Sequence, residues 1–366
     1  MSQWESKYFQ DVLTITNGRN QKKIENPKGK YPIYGSGGVM GYADDYICVA
    51  NTVVIGRKGN INKPIFVEEP FWNVDTAFGL VANQEILLPK YLYYFCLKFD
   101  FLRLNTTVTI PSLTKSNLLK INIPLPPIEI QQKVAKKLDT AYDLLKLRKQ
   151  QLAELDKLIQ SVFYEIFGDP ASNPMGWKTG AIRDVVTEVK YGTSKPAVED
   201  GKYIYLRMNN ITYDGYLDLT SLKYIDMPDS EVEKYIVRRG DILFNRTNSK
   251  ELVGKTCVFD QNKEMIIAGY IIRLRTNERV VPEYLSAVLN SQYGKITLFG
   301  MCKAIIGQAN INAQELQKIN ICIPPIELQK DYVKFVRQVD KLKFDIQKSL
   351  NEMNTLFNAL LQKYFE

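Results

Sequence analysis

The sequence predicts an α+β protein with a pseudo-two-fold internal repeat: two mixed α/β globular domains, separated by two long helices that form an antiparallel coiled coil. Three observations lead to this fold class. A short segment occurs twice, two long heptad patterns follow it, and the stretches before them are rich in Val, Ile, Tyr and Phe broken by Gly and Asn. A length of 366 residues leaves room for more than one domain.

The duplicated segment is found at residues 118–131, LLKINIPLPPIEIQ, and at residues 316–329, LQKINICIPPIELQ. The copies match at a constant offset of 198 residues and share KINI and PPIE. A helix start tolerates proline, and an acidic side chain in the first turn interacts favourably with the helix dipole. Glu129 and Glu327 hold that position, so we expect a helix to begin at each copy.

Apolar residues then recur in alternating steps of four and three. One pattern runs from Val134 to Ile166 with only Arg148 polar, and the other from Phe335 to Leu360 with only Ser349 polar. This spacing predicts coiled-coil helices over 128–167 and 326–366, each about 60 Å long at about 1.5 Å per residue. Antiparallel pairing would bring Arg148 near Ser349, with Asp345 as a possible partner. The alternative is two amphipathic helices packed into ordinary cores.

The segments before the two helices also correspond. Trp4 and Trp177 each lie seven residues before an Asp-Val pair, and NTVVIGRKG (51–59) resembles GDILFNRTN (240–248). Gly168, followed by Asp-Pro, is a typical end for the first helix. The expected organisation is a globular domain at 1–127, a helix at 128–167, a second globular domain at 168–325 and a second helix at 326–366.

Composition excludes several kinds of chemistry. The chain has no histidine, so it holds no Ser-His-Asp triad, no Cys-His pair and no H-E-x-x-H zinc helix. Five scattered cysteines form no C-x-x-C, which argues against a disulfide framework or a zinc site and favours a reducing cytoplasm. No signal peptide and no membrane-spanning run are evident. We expect a soluble cytoplasmic protein that binds no metal or cofactor itself.

The net charge of +8 and the pI of about 8.9 suit an anionic partner. Six of the eight surplus positive charges fall on the two globular segments, and each helix carries a surplus of only one. A surface that binds phosphate groups would be expected on those globular segments.

Two copies of K-I-N-I … P-P-I-E-x-Q opening a long helix, each behind G-D-I-L-F-x-R or its degenerate form, resemble the specificity subunit of type I restriction-modification systems. The resemblance covers essentially the whole chain. It implies two target recognition domains that each read half of a split double-stranded DNA sequence. It also implies helices that dock two adenine methyltransferase subunits, which restriction-translocation subunits join. The resemblance further implies a bacterial or archaeal cytoplasm, no catalysis by this chain, and S-adenosylmethionine, ATP and Mg bound by the partners.

Candidate DNA contacts follow from side-chain chemistry. Arginine can form a forked contact with guanine, Asn or Gln with adenine, and Ser, Thr or loop amides can bind phosphate. The alternative for each residue is a solvated turn or a structural cap. The candidates in the first domain are Arg19, Ser36, Arg57, Lys58, Asn60, Thr107 and Thr109, and those in the second are Tyr191, Thr193, Lys195, Arg246, Asn248, Lys303 and Gln308.

The candidate partner-binding residues lie off the heptad pattern near the two helix starts. They are Gln131, Lys136, Gln329 and Lys334. They could contact methyltransferase subunits, or they could simply solvate the helices.

Two other functions remain open. One is a coiled-coil scaffold whose globular ends bind protein or RNA. The other is a metal-dependent nuclease built on Glu188 and Lys190, an E-x-K pattern that is common in charged chains. Gly254-Lys255-Thr256 resembles the end of a P-loop but lacks its first glycine and precedes a strand-like run.

Overall fold

The computed structural model describes residues 4–105, 110–302 and 309–366. It divides into two compact units: unit 1 is Met1–Gln151 with Asp345–Glu366, and unit 2 is Leu152–Phe344. The long helices Ile128–Phe167 and Ile326–Phe365 begin at the predicted residues, and each contributes one part to each unit. A unit is therefore a globular segment plus parts of both helices.

Unit 1 contains two main sheets. An antiparallel sheet has the order β2-β8-β5-β6, a second has the order β4-β3-β7 with β3 parallel to β7, and β1 pairs with β9. Its strands are Ser6–Tyr8 (β1), Leu13–Asn17 (β2), Tyr31–Gly35 (β3), Gly38–Ala43 (β4), Thr52–Gly56 (β5), Ile65–Val67 (β6), Trp72–Asn73 (β7), Ala77–Ala82 (β8) and Asn122–Pro124 (β9), and its helices are Phe9–Val12 (α1), Pro89–Lys98 (α2), Lys115–Leu118 (α3) and the first part of Ile128–Phe167 (α4).

Unit 2 contains the antiparallel sheet β11-β19-β15-β17, the mixed sheet β13-β12-β18-β14 and the pairs β10–β21 and β16–β20. Its strands are Lys178–Ala181 (β10), Val186–Tyr191 (β11), Tyr203–Leu206 (β12), Lys223–Ile225 (β13), Ile236–Val237 (β14), Ile242–Asn245 (β15), Thr247–Asn248 (β16), Thr256–Val258 (β17), Met265–Ile267 (β18), Ile271–Thr276 (β19), Ala309–Asn310 (β20) and Asn320–Ile323 (β21), and its helices are Asp229–Tyr235 (α5), Pro282–Asn290 (α6), Gln292–Met301 (α7), Ala313–Gln317 (α8) and the first part of Ile326–Phe365 (α9).

The sheets confirm the internal repeat. β11-β19-β15-β17 has the order and directions of β2-β8-β5-β6, and β12 lies parallel to β18 as β3 lies parallel to β7. The Val-Ile runs form the inner strands: Val53, Val54 and Ile55 in β5, and Ile242 and Leu243 in β15, are fully buried. Helix α5 has no counterpart among the described residues of unit 1, and the place of α7 is taken there by the short 3-10 helix Phe101–Leu104, which follows α2.

One glutamine ties the start of each long helix to its globular domain. The Gln131 carboxamide accepts from Leu88 N (2.9 Å) and donates to Ile86 O and Pro126 O, both at 2.8 Å. Gln329 makes the same three kinds of bond, with Val281 N, Arg279 O and Pro324 O at 2.9, 3.0 and 2.8 Å, respectively. Both side chains are fully buried. They satisfy buried and part-buried backbone groups that would otherwise lack a partner.

The last turn of a long helix completes the core of each unit. In unit 1 the Tyr91 ring packs on Phe365 from α9 at 5.0 Å between centroids. In unit 2 the Tyr284 ring packs on Phe167 from α4 at 4.7 Å. Each tyrosine hydroxyl also donates to a strand carbonyl, Pro124 O or Cys322 O, at 3.0 Å.

The heptad prediction for α4 agrees with burial, because all ten predicted apolar-stripe positions are buried or half-buried. The prediction for α9 is wrong at Leu342 and Leu356, which are 54% and 59% exposed. The buried face of α9 instead includes Leu350, Phe357 and Leu361, which lie beside the predicted stripe.

Contacts inside unit 2 show that α4 and α9 run antiparallel there. Asp156 accepts from Lys343 Nζ, and farther along α4 the Phe163 ring packs on Tyr332, which lies earlier in α9. In unit 1 the half-buried Arg148 donates to Gln151 Oε1 at 2.8 Å, on its own helix. It forms no ion pair with Asp345 among the described residues.

The two units differ where helix α2 or α6 faces the long helices. In unit 1 this space holds Tyr93, Tyr94 and Tyr142, whose rings pack on one another and on Phe357. Gln131 bonds Leu88 and Gln329 bonds Val281, so α2 and α6 correspond at an offset of 193 residues, which places Ser286 and Ala287 at the positions of Tyr93 and Tyr94. The offset of 198 between the long helices places Asp340 at the position of Tyr142. Unit 2 accordingly has a cavity of about 910 Å³ there, lined by aromatic rings and by charged groups that include Lys295.

Removing either buried glutamine should weaken its unit. Gln131→Ala and Gln329→Ala each leave one buried and two part-buried backbone groups without a partner, so we expect a loss of about 3 kcal/mol in the free energy of unfolding. Urea unfolding followed by tryptophan fluorescence measures it. The exposed residues Gln132 and Gln338 are matched controls, and their alanine variants should unfold within about 0.5 kcal/mol of the parent chain. Equal losses at Gln131 and Gln132 would contradict the assignment.

The cavity should also make the stability of unit 2 depend on pH. Burial lowers the pKa of Lys295 to about 8, whereas an unfolded lysine keeps a pKa of 10.5. Between pH 8 and 10 the unfolded chain retains a proton that folded Lys295 has released, so this residue makes the fold more stable as pH rises. The urea concentration at the unfolding midpoint should therefore rise between pH 7 and pH 10 in the parent chain and in Lys223→Met, whereas Lys295→Met should lack this rise. An identical pH profile for both variants would contradict the burial argument.

Candidate functional site

Candidate DNA contacts of unit 1 gather at one end of the sheet β2-β8-β5-β6. β2 ends at Asn17 and β5 at Gly56, and both ends lie beside the start of β8 at Ala77 and Phe78. Arg57 N–H donates to Thr76 O (2.7 Å), and Arg57 O accepts from Leu113 N (2.9 Å). The guanidinium carbon lies 5.8 Å from the Phe78 ring centroid. The exposed Arg57 and Lys58 therefore extend from a rigid strand end.

Gly56 brings two more candidates to the same end. A Cβ at Gly56 would lie 2.5 Å from Asn60 O and 3.0 Å from Ser36 Cβ, so only glycine lets these loops approach so closely. Ser36 lies in the turn between β3 and β4, and Arg19 follows β2, where its N–H donates to Asn73 O. The structure thus brings together Arg19, Ser36, Arg57, Lys58 and Asn60.

The equivalent end of unit 2 is formed by β11, β19 and β15. Arg246 follows β15, its N–H donates to Tyr270 O, and its carbonyl accepts from Ile311 N, each at 2.9 Å. Its guanidinium carbon lies 4.9 Å from the Tyr191 ring centroid, and the Tyr191 hydroxyl accepts from Ala313 N at 2.8 Å. Asn248 lies two residues beyond Arg246, in β16.

Two candidates in unit 2 have structural roles. Thr193 is buried, and its hydroxyl accepts from Lys195 N at 3.2 Å, so the prediction that Thr193 contacts DNA is wrong. Lys195 is half-buried and forms an ion pair with Glu231 at 2.8 Å. Four further candidates, Thr107, Thr109, Lys303 and Gln308, lie outside the described residues.

The sequence missed the aromatic ring under Arg57. Phe78 lies in the almost wholly buried strand β8, and nothing in that strand's sequence distinguishes it from a core residue. Its proximity to Arg57 depends on the register of β5 with β8, which places Phe78 opposite Ile55, two residues before Arg57. Only knowledge of that register could have identified it.

The prediction that Gln131 and Gln329 meet a partner is also wrong, because both are buried in the hydrogen-bond pattern described above. Lys136 and Lys334 are exposed, and Lys334 pairs with Asp331 one turn away at 2.8 Å. The sequence missed a second exposed set on the helices: Leu144 and Leu356 in unit 1, and Leu158 and Leu342 in unit 2, with exposures between 43% and 59%.

Glu188 is part of a structural ion network. Burial opposes its ionisation, but hydrogen bonds from Lys190 and Arg273 outweigh burial and lower its pKa. Arg273 is 1% exposed, and Arg275 pairs with Asp241 at 2.8 Å. Within the described ranges, no three Cys, Asp or Glu side chains come together as possible metal ligands. Glu188 is therefore held by cationic side chains in a way that serves the fold.

Lys255 is not available to a nucleotide phosphate. It is 8% exposed, and its ammonium donates to Met208 O at 2.8 Å. All five cysteines are free and buried, and burial raises the pKa of Cys48 and of Cys257 to about 12. Among the described residues, no helix is long and apolar enough to cross a membrane.

Comparisons with known proteins agree with this architecture. A family model described as "Type I restriction modification DNA specificity domain" matches residues 1–157 and 174–353. The specificity subunit of the type I restriction enzyme EcoKI from Escherichia coli (strain K12) is 22% identical over 336 residues, covering 85% of this chain and 72% of the relative.

Two solved structures share the fold. The S subunit of a type I restriction-modification system from M. genitalium has a TM-score of 0.61 and 17% identity, covering 99% of this chain and 96% of that one. A chain from work on complex assembly and conformational transition of the type I R-M system has a TM-score of 0.58 and 19% identity, covering 99% and 97%.

The family model matches twice, once on each of the segments that carry the repeated sheets. This double match agrees with the duplicated segment and with the equivalent strand ends at Arg57 and Arg246. The chain belongs to the type I restriction-modification DNA specificity family, as a recognition subunit that is not itself catalytic.

Proposed function

We propose that each unit of this specificity subunit reads one half of a split double-stranded DNA sequence and thereby directs adenine methylation and restriction by partner subunits. The observation that carries the proposal is the same strand end in both units, with an arginine lying over an aromatic ring. Sheet ends that expose Arg, Lys, Asn and Ser offer the donors and acceptors that bind bases and phosphates. The positive surplus of the globular segments supports the same partner.

The long helices offer a surface for two copies of a methyltransferase subunit. At the repeat offset, Leu144 of α4 corresponds to Leu342 of α9, and Leu158 of α4 to Leu356 of α9. Each unit therefore exposes one equivalent leucine from each helix, Leu144 with Leu356 in unit 1 and Leu342 with Leu158 in unit 2. Two like surfaces suit two identical partners.

The catalytic chemistry would then belong to the partners. Methyl transfer from S-adenosylmethionine and ATP- and Mg-dependent restriction would be carried out by the methyltransferase and restriction-translocation subunits. This chain would contribute the choice of sequence.

DNA recognition is tested by co-expressing the chain with its methyltransferase subunit and sequencing the host genome for modified adenines. We expect one motif of two short parts separated by unspecified bases. The purified complex should also bind duplex DNA with an affinity that falls steeply with salt, because phosphate contacts release counterions. A stable complex that modifies no adenine and binds DNA without salt dependence would contradict the proposal and favour a scaffold.

Helix length should set the spacing between the two half-sites. Each long helix crosses from one unit to the other at one point: α4 between Gln151 and Leu152, and α9 between Phe344 and Asp345. Inserting seven helical residues at both points lengthens each helix by about 10 Å, or about three base pairs of DNA. We expect adenine mapping to show a spacer longer by about three base pairs with both half-sites unchanged. Altered half-site letters would contradict this role of the helices.

The leucine surfaces should each hold one partner copy. Leu144→Glu with Leu356→Glu places two charges in the proposed contact of unit 1, and Leu158→Glu with Leu342→Glu does so in unit 2. We expect each double variant to lose one methyltransferase copy and the fourfold variant to lose both, as measured by native mass spectrometry. Gln150→Glu, on an exposed position of α4, is the matched control and should keep two copies. Two copies on the fourfold variant would contradict the assignment.

A further inference from the structure

Arg57 and Arg246 are held by the same backbone contacts in both units. Each follows the last residue of the equivalent strand, β5 or β15. Each donates its backbone N–H to the carbonyl of the residue just before the next strand, β8 or β19. The carbonyl of Arg57 accepts from Leu113 N and that of Arg246 from Ile311 N, and these two amides lie 198 residues apart, at the offset of the repeat. Four backbone bonds therefore fix the two arginines at matching points.

The ring under each arginine is supplied by a different strand. In unit 1 the ring is Phe78 of β8, which lies opposite Asn17 of β2. In unit 2 the ring is Tyr191 of β11, which lies opposite Ile272 of β19. Directly opposed residues share a face of the sheet, so the aromatic ring has moved to the neighbouring strand while the arginine has kept its place. A stacked guanidinium retains its outward N–H groups for an anion.

Within the part of the chain that the structure describes, neither guanidinium has a carboxylate partner. Among the described residues, Arg57 and Arg246 make no side-chain hydrogen bond or ion pair, and Arg246 Nε is buried without a hydrogen-bond partner. Other arginines of unit 2 are paired: Arg238 with Glu233, and Arg275 with Asp241. The two repeated arginines are thus positioned by the fold and left uncompensated.

The residues around the arginines differ between the units. Lys58, Gly59 and Asn60 follow Arg57, whereas Thr247, Asn248 and Ser249 follow Arg246. Bases differ from one DNA sequence to another, while backbone phosphates are present in every sequence. An arginine found at the same position in both units therefore suits a phosphate contact, and the residues that differ between the units suit base contacts.

We propose that Arg57 and Arg246 are equivalent anchors for DNA backbone phosphate, one on each half-site, and that they position the readers without specifying bases. This inference rests on the proposed function and goes further, because it separates the task of anchoring from the task of reading. Base recognition would then depend on neighbouring residues that differ between the units, namely Lys58 and Asn60 in unit 1 and Asn248 in unit 2.

The test uses the full chain in complex with its methyltransferase subunit. Affinity for a duplex that carries the mapped motif, and for one with a scrambled motif, is measured from 50 to 300 mM KCl for the parent chain, Arg57→Ala, Arg246→Ala and the double variant. Loss of one anchor should reduce the slope of log affinity against log salt by about 0.9 and lower affinity about tenfold near 0.1 M salt, to a similar extent on both duplexes. The double variant should lose about twice the slope.

The adenine motif written in cells should keep its letters in each variant. Arg183→Ala is the matched control, since Arg183 is exposed and makes no ion pair or hydrogen bond among the described residues. It removes one charge from unit 2 without touching the strand end, so its slope should stay that of the parent chain. Arg57→Lys and Arg246→Lys should recover part of the slope, and thermal unfolding verifies that all variants are folded.

Three results would overturn the inference. A changed letter in one half-site would show that the arginine reads a base, and an unchanged salt slope would show that it does not touch DNA. If the lysine variants fold but do not recover binding, the position does not contribute through its charge. Failure of the proposed function itself looks different: the parent complex would then show no salt-dependent DNA binding and no split motif.

Discussion

The buried carboxamide at the start of each long helix governs how the helix leaves its globular domain. Its oxygen and nitrogen join three backbone segments: the entry to α2 or α6, the loop before it and the proline pair. A side chain that meets three fixed backbone groups admits few orientations, because each lost bond leaves a buried polar group unsatisfied. These bonds therefore fix the first turn of each long helix against its own globular domain.

The repeat and the limits of both long helices could be predicted from the sequence because their signals are local. Prolines, first-turn glutamates and a heptad pattern all act within a few turns. The role of Gln131 could not be predicted, since its partners at Ile86 and Leu88 are far away in the chain. The exposure of Leu342 could not be predicted either, because the buried face of α9 includes Leu350, Phe357 and Leu361, which lie beside the heptad positions.

The candidate site was predicted in part for similar reasons. Short motifs indicated Arg57 and Arg246, and glycine indicated the tight turn beside Ser36. The burial of Thr193 and the ring beneath Arg57 depend on strand register, which pairs residues that no local pattern connects. The cavity beside α6, where unit 1 has tyrosine rings beside α2, could not be predicted either. It becomes apparent only when the two units are compared, because each sequence segment alone is typical of the start of a helix.

The division of the chain into units also bears on the order of folding during synthesis. Unit 2 is one continuous stretch, Leu152–Phe344, while the core of unit 1 requires Phe357 and Phe365, which follow unit 2 in the chain. Domains generally fold from the amino end as the ribosome releases them. Here unit 1 emerges first but cannot close its core until the chain beyond unit 2 has been made, so Tyr91 lacks its partner Phe365 while unit 2 is already able to fold.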